Sequence, residues 1–223
     1  MILLAVATGN TFGQKSEVLK AFAKYQIDES ILDPALKKKP ETYSFDLKYT
    51  SITSEKEKVT LATYDPSKIE AERWTVVSVD GKTPTSSEIK TFRKEHSQPS
   101  RTEGKVDESS YKTEKDDGNY LTVSYKQDPA SLPAEASFMK DCRLFLTINV
   151  KTKRFEKLEA INEKPLKIKI LNAQKLDLAI KFKYDEAEKR YFTESEDLDI
   201  IVKFLGNLVP IQTLSEYSNY KKI

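Results

Sequence analysis

A mainly β (α+β) fold is predicted. The expected architecture is a large curved antiparallel sheet of about eleven strands that encloses its helices. Three observations lead there. Apolar and polar residues alternate with a period of two from about residue 41 to the carboxyl end. The segments marked in this way have one apolar and one charged side and are joined by short turns, as in an antiparallel sheet with one solvated face. Helical spacing is confined to the front of the chain, so the apolar side must be covered by those helices, by curling of the sheet, or by both.

Residues 15–39 read as helical. Val18, Leu19, Phe22, Ala23 and Tyr25 recur at spacings of three and four, with Ser16 as a candidate N-cap. Ile27, Ile31, Leu32 and Leu36 form a second apolar group that ends at Pro40. Tyr43, Phe45, Leu47 and Tyr49 then alternate with polar residues as a half-buried strand, followed by Val59–Thr63 and Trp74–Ser78. Asp80-Gly81 supplies a turn, and Thr85 or Ser86 caps a short helix with Glu88 in its first turn and Ile89 and Phe92 as its stripe. His96–Lys105 has no large apolar residue and reads as a mobile loop.

Asp117-Gly118 between two β-prone runs signals a hairpin. Leu144, Leu146, Ile148 and Val150 alternate next, then Phe155 with Leu158–Ile161, and Leu166, Ile168 and Ile170. Leu176–Tyr184, Leu198–Phe204 and Val209–Tyr217 complete the pattern, with Lys151–Lys153 and Asp185–Lys189 as hairpin connections. No internal repeat is visible, so residues 14–223 are expected to form one domain.

Composition removes many activities. The 223 residues include 37 Lys and Arg against 35 Asp and Glu, so no global field attracts nucleic acid or an anionic surface. Only six of the basic residues are Arg, and no Arg stripe interleaves with aromatics, which argues further against nucleic acid as a partner. One Cys rules out an intrachain disulfide, and one His with one Cys rules out the common zinc sites. No metal or other cofactor is expected.

Met1–Ala7 is an apolar run too short to span a bilayer, which takes about 20 residues. It suits the h-region of a secretory signal truncated at its basic end, over residues 1–13, with Thr11 and Gly13 before a cut at Gln14. The alternative is a buried amino-terminal strand or helix turn. The mature protein is expected to be soluble and exported, without a transmembrane span and with a monomer favoured.

Several polar residues invite a chemical role and are better explained otherwise. A general base needs a nucleophile and an orienting group held in reach, and His96 sits in a mobile polar segment, so it is not expected to be catalytic. Cys142 lies on the apolar side of its strand and reads as a small buried residue. Glu194 and Glu196 share one strand face while Asp197 and Asp199 share the other, so a carboxylate pair for calcium or glycoside chemistry is not formed, and a solvated strand end is expected. No enzyme activity is predicted. Trp74 faces inward with Val76, while Arg73 faces the other way.

The text Tyr64-Asp-Pro66…Glu72-Arg-Trp-Thr-Val-Val-Ser-Val-Asp-Gly-Lys-Thr-Pro84, with Glu88 in register, resembles a pattern in uncharacterised exported bacterial proteins. That group is similar to the LolA/LolB-type lipoprotein carriers, and the resemblance extends loosely from about residue 41 through Leu214–Tyr220. It implies an unclosed curved sheet with helices plugging the concave side. The expected function is then binding or carrying a lipid, acyl chain or lipoprotein anchor. The ligand would lie along Tyr43, Phe45, Leu47, Trp74, Val76, Leu144, Leu146, Ile180 and Phe182. The alternative is an envelope structural module with a fully packed core and no ligand.

Overall fold

A computed structural model describes residues 13–53, 56–96, 104–168 and 171–223. Helix α1 (Gly13–Tyr25) comes first, then two 3₁₀ turns, Glu29–Leu32 and Pro34–Lys37. Strands β1 (Tyr43–Thr53), β2 (Glu57–Tyr64) and β3 (Trp74–Val79) precede helix α2 (Ser86–His96). Then come β4 (Val106–Asp116), β5 (Tyr120–Gln127), a 3₁₀ segment Ala134–Asp141, β6 (Cys142–Asn149) and β7 (Arg154–Asn162). The short β8 (Leu166–Ile168) and the long β9 (Leu171–Asp185), β10 (Arg190–Phe204) and β11 (Asn207–Lys222) complete the order.

All the strands join one antiparallel sheet in the order β3-β2-β1-β11-β10-β9-β7-β6-β5-β4, with β8 paired to β9 beyond the end of β7. The sheet is not closed: β3 and β4 are its two edges. The first and last strands meet in its interior, where Leu47 lies opposite Tyr217. Between β3 and β4 the chain passes from one edge to the other.

Following the register gives each face its residues. Leu47 aligns with Ala62 and Tyr217, Leu198 with Leu178 and Thr213, Leu158 with Ile180 and Leu146, and Leu146 with Val123. These residues lie on one apolar face, because side chains directly opposite across a ladder share a side. The other face carries a row of paired residues from Lys115 through Thr122, Thr147, Lys157, Lys181 and Ser195 to Glu216 and Lys48. That row is the solvated side expected from the alternation.

Both helices pack on the apolar face. Val18 and Phe22 of α1 join Tyr111, Leu121, Val123, Leu146 and Phe155 in one cluster, and Phe92 of α2 joins Phe45, Leu47, Trp74 and Val76 in a second. A third cluster sets Phe138 of the 3₁₀ segment against Cys142, Leu166, Leu176 and Val202.

The front of the chain differs from its expected single helical stretch. Gln26 takes a left-handed φ of 54° and ends α1, where the Ile27 N–H donates to the Phe22 carbonyl at 2.9 Å. The apolar group after it is carried by the two 3₁₀ turns, whose Asp28 and Asp33 carboxylates accept from the Ser30 and Ala35 N–H groups, each at 2.8 Å. Ser16 lies inside α1 and is not its cap. At α2 the cap is as expected: Thr85 Oγ1 accepts from the Glu88 N–H at 3.3 Å, and Glu88 accepts from the Thr85 N–H at 2.9 Å. The expected export signal lies outside the described residues up to residue 12. Among the described residues, no helix is long and apolar enough to cross a membrane.

Candidate functional site: the apolar sheet face

The nine residues expected to line a ligand site all lie on the apolar face, but in separate packed groups. Phe45, Leu47, Trp74 and Val76 belong to the α2 cluster. Leu144, Leu146 and Phe182 belong to the α1 cluster, with Ile180 packed against it. Tyr43 is buried edge-on against Phe192 at 5.2 Å, and its hydroxyl donates to Glu188 at 2.5 Å. Leu47 is 2% exposed and Leu146 0%, so neighbouring side chains already occupy the space around them.

Between the two clusters the face is less covered. Leu178 and Ile180 of β9, Leu198 and Ile200 of β10, and Val209, Ile211 and Thr213 of β11 are half-buried. Register pairs Leu198 with Leu178 and Thr213, and Ile200 with Leu176 and Ile211. The result is an apolar strip running along three central strands toward the β10–β11 turn.

A polar group closes the other end of the strip. Lys39 Nζ donates to Tyr217 OH at 2.6 Å and pairs with Glu196 at 2.9 Å, while Tyr217 OH donates to Glu196 at 2.9 Å. Burial, reinforced by the Glu196 charge, raises the Tyr217 hydroxyl well above the usual phenol range, so it stays a donor. Lys39 also sits 4.2 Å above the Tyr217 ring. Glu196 is therefore half-buried on the apolar face, which corrects its expected place on a solvated strand end. The alternation contained the signal, since Glu196 is in phase with Leu198 and Ile200.

His96 closes α2 and does not begin a loop. Its ring stacks on Phe92 with centroids 3.9 Å apart and meets Tyr49 edge-on at 4.9 Å. Burial lowers its pKa, and Nδ1 lies 2.9 Å from the Phe92 carbonyl, one helical turn back. With Nδ1 engaged in this way and rings on both sides, the imidazole serves as packing for α2. The helical spacing from Ile89 and Phe92 reaches His96 if extended by one more turn. Residues 97–103 of the expected loop lie outside the described residues.

Trp74 ties the helix down. Its Nε1 donates to the His96 carbonyl at 3.2 Å, and Arg93 Nε donates to the Trp74 carbonyl at 2.9 Å. Cys142 is buried, and that burial pushes its thiol up to about 11, so it is inert at neutral pH. Among the described residues, no group of three or more His, Cys, Asp or Glu side chains is placed to hold a metal.

The opposite face carries a shallow open cleft of about 520 Å³ bordered by Tyr120, Phe145, Ile161, Lys115, Lys157 and Lys181. Its charges are mixed, and Lys157 is paired with Glu159 at 2.9 Å.

No family model and no curated protein matches the chain. Solved structures that it matches include an isomerase-inactive variant of GphF DH1, at 10% identity over 93% of this chain and 82% of that one, with a TM-score of 0.13. They also include GphF dehydratase 1, at 9% identity over 91% and 83%, with a TM-score of 0.13. TM-scores this low carry no argument about fold or activity.

Proposed function

We propose that the protein is an exported, non-catalytic binder or carrier of an apolar ligand, a lipid, acyl chain or lipoprotein anchor, in the bacterial cell envelope. The carrying observation is the apolar sheet face that runs from β3 to β4 and stays half-buried along β9, β10 and β11. An acyl chain laid on Leu198, Ile200, Val209 and Ile211 would gain roughly 25 cal/mol per Å² of apolar surface removed from water, before the costs of association. Lys39, Glu196 and Tyr217 would meet the polar end of such a ligand.

Chain reach supports the LolA/LolB-like arrangement, in which the face bearing the helices is concave. His96 packs on Tyr49 of β1, and ten residues later Val106 opens β4 at the far edge. Ten residues reach at most roughly 34 Å, and the seven strand spacings from β1 to β4 in a flat sheet total roughly the same. A sheet curled toward its helices shortens that distance.

The competing reading, a packed structural module without ligand, draws on the near-complete burial of Leu47 and Leu146. Titrating delipidated protein with a fluorescent fatty acid separates the two. Saturable binding that is lost in Ile200→Glu and in Ile211→Glu supports the carrier, and no binding by the folded wild type supports the module.

A further inference from the structure

The turn joining β10 and β11 is built against the preferences of its own backbone. Leu205 has φ 47° and Gly206 φ 88°, two successive left-handed residues as in a type I′ hairpin. Asn or Asp is favoured at the first position, and Asp80-Gly81 in this chain uses that pairing with φ 50° and 74°. A leucine in the left-handed region is sterically strained, and burial could offset that strain. Here it does not: Leu205 is 87% exposed. Its neighbours Phe204 and Leu208 are 57% and 62% exposed.

Lysines flank the apolar tip. Lys203 lies opposite Leu208 on one side and Asn172 on the other, and Asn172 lies opposite Lys167. Both lysines are exposed, and neither has an ion-pair partner among the described residues. Phe204 continues the side of Val202, so the tip adjoins the end of the half-buried strip.

We infer that the β10–β11 hairpin is a membrane-docking wedge: Phe204, Leu205 and Leu208 enter the interfacial region of a bilayer while Lys203 and Lys167 meet anionic headgroups. Apolar side chains below and lysines reaching back to phosphate is the arrangement of interfacial anchors. A second protein copy fits less well. Three such side chains offer roughly 400 Å² from one copy, against about 800 Å² per partner in a stable protein interface. The wedge is independent of the acyl-binding proposal: vesicle binding with no fatty-acid binding overturns only the latter.

The test is co-sedimentation of the full chain with phosphatidylcholine vesicles, with and without about 30% phosphatidylglycerol. Wild type binds the anionic vesicles, and salt weakens that binding. Leu205→Asn, which gives the turn a preferred residue and so keeps the fold, lowers the vesicle partition coefficient by about tenfold, and adding Phe204→Ser and Leu208→Ser removes binding. Lys203→Gln with Lys167→Gln removes the preference for anionic vesicles. The inference is overturned if folded wild type binds neither vesicle, or if the triple variant binds as well as wild type. It is also overturned if wild type self-associates through the tip without binding vesicles.

Discussion

Removing the Phe92 ring should detach α2 from a sheet that otherwise stays folded. Phe92 is 6% exposed, stacks on His96 and meets Trp74 edge-on at 5.5 Å, so Phe92→Ala loses both transfer free energy and packing, about 3–5 kcal/mol. What remains on α2 is the half-buried Ile89, the edge contact of His96 with Tyr49, and the pair of hydrogen bonds exchanged with Trp74, worth about 0.5–1.5 kcal/mol each. Two such bonds do not offset the lost ring. The α1 cluster shares no residue with the α2 cluster, so the rest of the sheet keeps its own core. Trp74 is the single tryptophan of the chain, which makes its emission a local reporter of α2. In Phe92→Ala, Trp74 should become quenchable by acrylamide at urea concentrations where the far-ultraviolet β signal is still native. A loss under about 1 kcal/mol with Trp74 as shielded as in wild type would refute the assignment of α2 as a separately docked helix.

Further outcomes follow from the same contacts. Thr85→Ala breaks the reciprocal cap at the start of α2 and should lower its docking stability by about 1 kcal/mol in the same urea assay. Leu205→Asn should raise global stability by about 1 kcal/mol in urea unfolding, because it relieves a left-handed leucine that buries little. His96 has a folded pKa below its ordinary 6.5, so the unfolded state binds more protons as the solution is acidified. Its stabilisation is therefore present above pH 6.5 and lost as pH falls through the folded value, although the Phe92 carbonyl and the charges of Glu95 and Glu196 oppose the shift while that of Lys39 adds to it. Urea midpoints should decline on acidification from about pH 7 to 5, and His96→Gln should flatten that decline. Cys142 should react with a thiol reagent only after denaturation, since burial holds its thiol at about 11.

Which residues face inward could be read from the chain because strand periodicity is local. Alternation alone placed Leu144, Ile180 and Trp74 on the apolar face, and the two Asp-Gly pairs at turns. Strand order could not be read in this way. β1 pairs with β11, with Asp46 opposite Ser218, and no local pattern encodes a partner that far along the chain. The helix expected over 15–39 is longer than α1 because Ile27, Ile31, Leu32 and Leu36 keep helical spacing. The competing signals were Asp28 and Asp33-Pro34, which cap two 3₁₀ turns. The polar residues downstream of His96 point to a loop, while two of the three aromatic residues it packs on, Tyr49 and Trp74, come from strands far upstream. The charge of Glu196 points to solvent, whereas its phase in the strand points to the apolar face. The network it makes with Lys39 and Tyr217 joins three separate parts of the chain, so its partial burial shows only in the folded sheet.

The most direct test of the central claim is to map where a photoreactive fatty acid attaches. Delipidated protein would be irradiated with the probe, digested, and the labelled residues identified by mass spectrometry. An acyl ligand on the apolar face predicts labels on Leu198, Ile200, Val209 or Ile211, competed away by unlabelled fatty acid. Labels confined to the outer cleft around Tyr120 and Phe145, or no competable label at all, would contradict the claim.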